Sequence, residues 1–160
     1  MVNNIVLDTN CLIASLSKKG NYFKVWTDLH AGKYILCVSN EILTEYEEII
    51  SLKTNPIIAA NVVQTLLNSP FVRLIDPYFQ FNLIEKDKDD NKFVDCAIAA
   101  NASFIVSEDS HFKILKNIPF PDVRVIRLAQ FVHILEGHKP YEIQDSSIHM
   151  VNEEPEIYNE

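Results

Sequence analysis

The residues of this chain best suited to chemistry are its carboxylates. Asp8 ends the run Ile5, Val6, Leu7 and is followed by Thr9 and Asn10. Three bulky apolar residues after Asn3 and Asn4 read as a short strand covered on both faces, as in a parallel sheet. Asp8 then emerges at the strand's carboxyl end, where open α/β sheets place their ligands. Asp109 repeats the pattern after Phe104, Ile105, Val106, Ser107 and Glu108. Each has a structural alternative: Asp8 or Thr9 as the cap of a helix starting near Cys11, and Asp109 as a turn residue. Asp95 is the most anomalous acid, because the other seven residues of 93–100 are apolar. Burying even a neutral polar group without a partner costs about 2–7 kcal/mol, so a carboxylate there calls for a salt bridge, a raised pKa or a metal. Lys92 is the one base at helical spacing from it, and an Asp95–Lys92 pair is the structural alternative. Glu45 lies beside the apolar stripe Ile42, Tyr46 and Ile49, with Glu41, Glu47 and Glu48 expected in solvent. Asp90, after Asp87, Lys88 and Asp89, is placed to cap a helix beginning at Asn91.

Two strand-end aspartates and one aspartate in a buried helix form a constellation. Hard oxygen ligands of this kind suit magnesium or manganese. Without a cation, carboxylates packed together would repel one another. Two such ions can stabilise the attacking and leaving oxygens of a phosphodiester displacement. No Ser-His-Asp or Cys-His arrangement is present, and three glycines are too few for a Gly-rich phosphate loop. The five histidines (His30, His111, His133, His138, His149) show no ligand spacing and are expected on the surface or in loops. Cys11, Cys37 and Cys96 sit among apolar residues without C-x-x-C spacing. They read as buried free thiols of a reducing cytoplasm.

The elements that must position these acids alternate in type. Strands are predicted at 5–7, 34–38, 71–75, 103–106 and 123–126. Helices are predicted from about 11, at 22–30 with Gly32 as a stop, after the N-cap Ser39, and from Pro56 to about 68. Further helices are predicted at 91–101, 112–115 and 128–135, with a polar loop over 76–92. This order argues for βαβ units and a mostly parallel sheet. With 160 residues, 48% of them apolar, the chain makes one domain, and no stretch approaches a membrane span or a signal segment. The net charge of −8 is uneven: residues 141–160 hold six acids and no Lys or Arg, leaving 16 acids against 14 bases over residues 1–140. The body is near neutral and remains compatible with a nucleic-acid partner. Residues 139–160, with Pro140, Pro155 and few apolar side chains, are expected to form a mobile or partner-dependent acidic tail after a domain of 1–138.

Taken in order, four motifs resemble the PIN-domain ribonucleases, and most closely the prokaryotic toxin components of toxin–antitoxin pairs. They are Ile5 to Asn10, Ser39 to Tyr46 with Glu45, Asp89 to Ala100 with Asp95, and Phe104 to Asp109; the similarity spans about 4–135. The resemblance implies a three-layer α/β/α sandwich around a mostly parallel sheet. It places the family's four acids on Asp8, Glu45, Asp95 and Asp109, which would hold one or two magnesium or manganese ions. Asn10 and Ser107 fall on small polar positions that support the metal site, and Asp90 on a position read as a cap with a supporting contact. The implied activity is metal-dependent endonucleolytic hydrolysis of single-stranded RNA, leaving a 5′-phosphate and a 3′-hydroxyl. A cognate antitoxin and a homodimer are the implied partners, with no membrane, and Lys18, Lys19, Lys86, Lys88, Lys92 and Lys113 are candidate groove contacts. Two departures stand out. Ser107 replaces a frequent Thr, and Glu108 adds a carboxylate that would weaken RNA approach or join the metal shell. A PIN-fold module that binds RNA or protein without cutting is the alternative, and the acidic tail is a candidate internal inhibitor. A haloacid-dehalogenase or receiver mechanism fits poorly, because Asn10 stands where the former needs a second Asp.

Overall fold

The computed structural model describes residues 3–85, 87–118 and 121–138. The expected acidic tail and Lys86 lie outside the described residues. Among the described residues, five strands form one all-parallel sheet: β1 (Asn4–Leu7), β2 (Ile35–Val38), β3 (Val72–Leu74), β4 (Phe104–Val106) and β5 (Val125–Ile126), in the order β3-β2-β1-β4-β5. The central strand β1 pairs Ile5 with Leu36 on one side and with Phe104 on the other. Ile5, Val6 and Leu7 are fully buried, as a strand covered on both faces requires.

Among the described residues, six α-helices connect and flank the strands: α1 (Thr9–Ser15), α2 (Phe23–His30), α3 (Asn40–Lys53), α4 (Pro56–Asn68), α5 (Asn91–Ala99) and α6 (Leu128–Leu135). From β1 the chain steps through β2 to β3, then returns across the sheet to β4 and continues to β5. α1 packs on α2 and α3, and α3 on α4, while α5 packs across β1, β2 and β4; the usual right-handed crossovers would set α1–α4 and α5 on opposite faces. α6 packs back on α2. This is the α/β architecture the element order predicts. Between β1 and β4 the direction of winding reverses, which opens a crevice at their carboxyl ends.

Local chemistry explains most boundaries. Ser39 caps α3 through Ile42 N–H, and Asn55 caps α4, whose first residue is Pro56. Gly32, at a positive φ of 74°, ends the turn after α2, and a Cβ there would meet the Phe71 ring at 2.8 Å. Asn101, also at positive φ, stops α5 two residues early relative to the predicted 91–101. The predicted helix at 112–115 is a longer 3-10 segment, Ser110–Asn117, and the loop 76–92 contains a 3-10 turn, Lys88–Asp90. All three cysteines are free and buried. Among the described residues no helix is long and apolar enough to cross a membrane.

Candidate metal centre

Each acid of the crevice is positioned by a buried neighbour. Asp8 follows directly from β1, and its amide donates to Val106 O at 3.0 Å, so the ladder to β4 runs up to the carboxylate itself. Its Oδ1 accepts from Thr9 N–H at 2.7 Å and its Oδ2 from the Ser107 hydroxyl at 2.8 Å. Ser107 Oγ also accepts from Asp109 N–H at 3.0 Å, so one hydroxyl couples the ends of the two central strands. Asp109 in turn accepts from His111 N–H at 2.8 Å, combining the predicted turn role with a place in the crevice.

Glu45 arrives from α3. The next residue, Tyr46, is fully buried and donates its hydroxyl to Leu7 O at 2.5 Å, pinning α3 to the end of β1. Glu45 accepts from the Thr9 hydroxyl and pairs with Lys92 at 2.9 Å. Thr9 is thus a site residue, and the partner of Lys92 is Glu45 rather than Asp95. Asp90 precedes α5, where the buried Asn91 side chain bonds both Ile84 N–H and Ile84 O at 2.9 Å. The expected capping role of Asp90 is not found, since its carboxylate makes no bond to the helix start. It faces the crevice, with Oδ2 3.4 Å from His111 Nδ1.

Electrostatics group the same residues. Burial, with Glu45 and Asp109 nearby, pushes the Asp8 carboxyl up to about 6 against the hydrogen bonds from Ser107 and Thr9. Burial and the charges of Asp109, Asp87 and Asp8 push Asp90 up to about 7. Asp8, Glu45, Asp90 and Asp109 therefore share one electrostatic environment. Asp95 is not brought into it. Five residues beyond Asp90, it projects from another side of α5 into a cavity of about 240 Å³ shared with Ser39, Asn40, Glu41, Gln80 and Lys92, the partner of Glu45. Its carboxylate accepts from Phe81 N–H at 3.1 Å, and burial with the charge of Glu41 holds its pKa up.

The remaining expected residues separate cleanly. Asn10 is exposed beside Thr9. Glu108 turns away from the crevice: Oε1 accepts from Leu128 N–H at 2.9 Å and Oε2 lies 3.9 Å from Arg127 Nε, so it anchors the start of α6 and does not join the acids. Lys113, with Lys116 and Arg127, borders a second hollow that reaches Ser107 and Asp109. Lys18, Lys19 and Lys88 are exposed. Sequence reasoning missed His111, whose Nδ1 lies 3.3 Å from Asp109 Oδ1 and 3.9 Å from Asp87 Oδ2. Its signal was its place two residues after a strand-end acid.

The PIN domain family profile matches residues 4–111, from β1 to just past Asp109. The chain belongs to the PIN-domain family. Solved structures share its fold at low identity. The VapBC2 assembly of Rickettsia felis, bound to a DNA fragment from its promoter, matches at 17% identity and TM-score 0.54, over 78% of this chain and 98% of that one. DNA-bound VapBC of Salmonella typhimurium matches at 16% and 0.51, over 80% and 99%. The Mycobacterium tuberculosis toxin VapC20, which cleaves the sarcin–ricin loop, matches at 17% and 0.52, over 75% and 98%. No curated protein sequence matches the chain.

Proposed function

We propose that this protein is a divalent-metal-dependent endoribonuclease acting on single-stranded RNA, and the toxin of a toxin–antitoxin pair. The observation that carries the reading is the convergence of Asp8, Asp90 and Asp109 at the carboxyl ends of two adjacent strands, with Glu45 alongside. The donor set fits magnesium or manganese: all four are hard carboxylates, and burial, together with neighbouring carboxylates, holds Asp8 and Asp90 above the ordinary range. These four residues would hold the ion, with Asp90 taking the place that the motif resemblance gives to Asp95. When bound, the metal supplies Lewis acidity toward a scissile phosphate and the charge that lets neighbouring acids ionise together.

The chain's own groups prepare that site. Ser107 orients Asp8 and the Asp109 backbone at once. Thr9 and Lys92 fix Glu45, and Lys92 offsets one negative charge where a polyanionic substrate must approach. Lys113, Lys116 and Arg127, beside Asp109, offer a cationic wall for the phosphate backbone. Buried free thiols accord with a reducing, cytoplasmic setting. The VapBC likenesses support a cognate antitoxin as partner. Tyr78 and Phe79, 91% and 72% exposed, offer apolar surface for it, and Leu52, Ile57 and Leu67 on α3 and α4 do so for a homodimer.

The test is cleavage of a mixed single-stranded RNA with magnesium, manganese or a chelator, comparing the protein with Asp8→Asn. Products that need metal and vanish in a folded Asp8→Asn variant are expected. Absence of cleavage with either metal would replace the nuclease reading with a binding module.

A further inference from the structure

We propose that His111 supplies a nitrogen ligand on the Asp90 and Asp109 side of this same centre, with Asp87 as a further carboxylate beside it, so that the centre selects manganese over magnesium. The inference rests on the metal-dependent reading above and specifies which ion that centre takes.

The geometry is convergent. His111 Nδ1 stands 3.3 Å from Asp109 Oδ1, 3.4 Å from Asp90 Oδ2 and 3.9 Å from Asp87 Oδ2. Single ligand atoms of Asp87, Asp90 and His111 all lie within 4.8 Å of one another. Donors about 2.0–2.2 Å from a shared ion sit about 3–4 Å apart, so Asp87, Asp90 and His111 fit one metal, with Asp109 beside His111.

The imidazole is held rather than loosely exposed. His111 N–H is bonded to Asp109 at 2.8 Å, which sets the backbone, and the ring side is 35% exposed. The next residue, Phe112, is fully buried and packs edge-on to Phe93 of α5 at 6.4 Å. Asp90 lies one turn before Phe93 and Asp109 one turn before Phe112, so this aromatic contact fixes the separation of the two acid-bearing segments. The four donors, Asp87 and Asp90 from one segment and Asp109 and His111 from the other, therefore come from two segments locked to each other through the core.

The chemistry decides the ion. Magnesium takes oxygen ligands in a strict octahedron and keeps several waters; manganese also takes carboxylates and water but, as a transition ion, accepts an imidazole among them more readily than magnesium does. A carboxylate-only centre would accept either. One imidazole among the carboxylates tilts the choice.

The full chain loaded with manganese alone, studied by electron spin-echo envelope modulation, reads the ligand directly. A ¹⁴N coupling to manganese is expected in the wild type and in His133→Asn/His138→Asn, which removes the surface cluster at the end of α6. It should disappear in His111→Asn. Calorimetric titration should show His111→Asn weakening manganese on the order of 10-fold with magnesium affinity nearly unchanged. Bound manganese without nitrogen coupling, or coupling that survives in His111→Asn, overturns the proposal and leaves His111 as a counter-charge to the acids. Failure of the wild type to bind manganese at all overturns both this inference and the metal-dependent reading.

Discussion

At the scale of single residues, the division between Asp90 and Asp95 is the sharpest consequence of the structure. Asp90 shares its field with Asp109, Asp87 and Asp8, whereas the one charge that raises Asp95 is that of Glu41. Asp90→Asn should therefore lower divalent-ion affinity on the order of 10–100-fold, as loss of a metal-site carboxylate does. Asp95→Asn keeps an oxygen for Phe81 N–H and should leave that affinity unchanged, with stability within about 1 kcal/mol. Titration calorimetry with manganese and urea unfolding separate the two, and equal loss of binding in both would reinstate Asp95. The reason Asp95 stands out in sequence is instructive. A lone acid among seven apolar residues looks uncompensated, but its partner is a backbone amide fourteen positions upstream in a loop, which no helical spacing reveals. Asp90 is hidden by the opposite effect, since it sits in a run of acids that reads as solvent-facing. Asp8 and Asp109 were legible because a buried strand announces what stands at its end, whereas Ser107 came from the motif resemblance.

At the scale of elements, the site depends on residues adjacent to the acids. Tyr46 fastens α3 to β1, Phe112 fastens the segment after β4 to α5, and Asn91 fastens the start of α5 to the preceding loop. Asn91→Ala would strand two backbone groups of Ile84, a residue 1% exposed. A destabilisation of about 2–6 kcal/mol is expected from two lost bonds at about 1–3 kcal/mol each. Denaturant titration measures it, and hydrogen exchange at Ile84 should accelerate beyond the global effect. An unchanged Ile84 amide would show that the loop is held otherwise. Strands and helices themselves were readable from apolar runs, the Ser39 cap and Pro56. The 3-10 segment Ser110–Asn117 was not, because its form follows from Phe112 and Leu115 both reaching the core from a stretch that also carries His111, Lys113 and Lys116.

At the scale of the whole molecule, the buried acids tie stability to pH. With its pKa raised from an ordinary 3.8 to about 6, Asp8 makes the native state bind more protons than the unfolded chain between those values. Its contribution is therefore complete below about pH 4 and is lost as pH rises through 6. Without metal, the wild type should lose about 3 kcal/mol relative to Asp8→Asn across that interval, from about two pKa units at 1.36 kcal/mol each. Thermal or urea unfolding of both proteins in a chelator checks the sign; a gain with rising pH would contradict it. Manganese should shrink the difference. The winding order also has a consequence in time. β1 is the central strand, yet its partner β4 is about a hundred residues later, and the acids stand at positions 8, 45, 90 and 109. At about 5–20 residues per second, on the order of 5–20 s separate the synthesis of the first acid from that of the last. Until Phe112 clears the ribosome the crevice is incomplete, so if the proposed ribonuclease activity holds, a growing chain has no assembled site with which to attack the message or the machine that is making it.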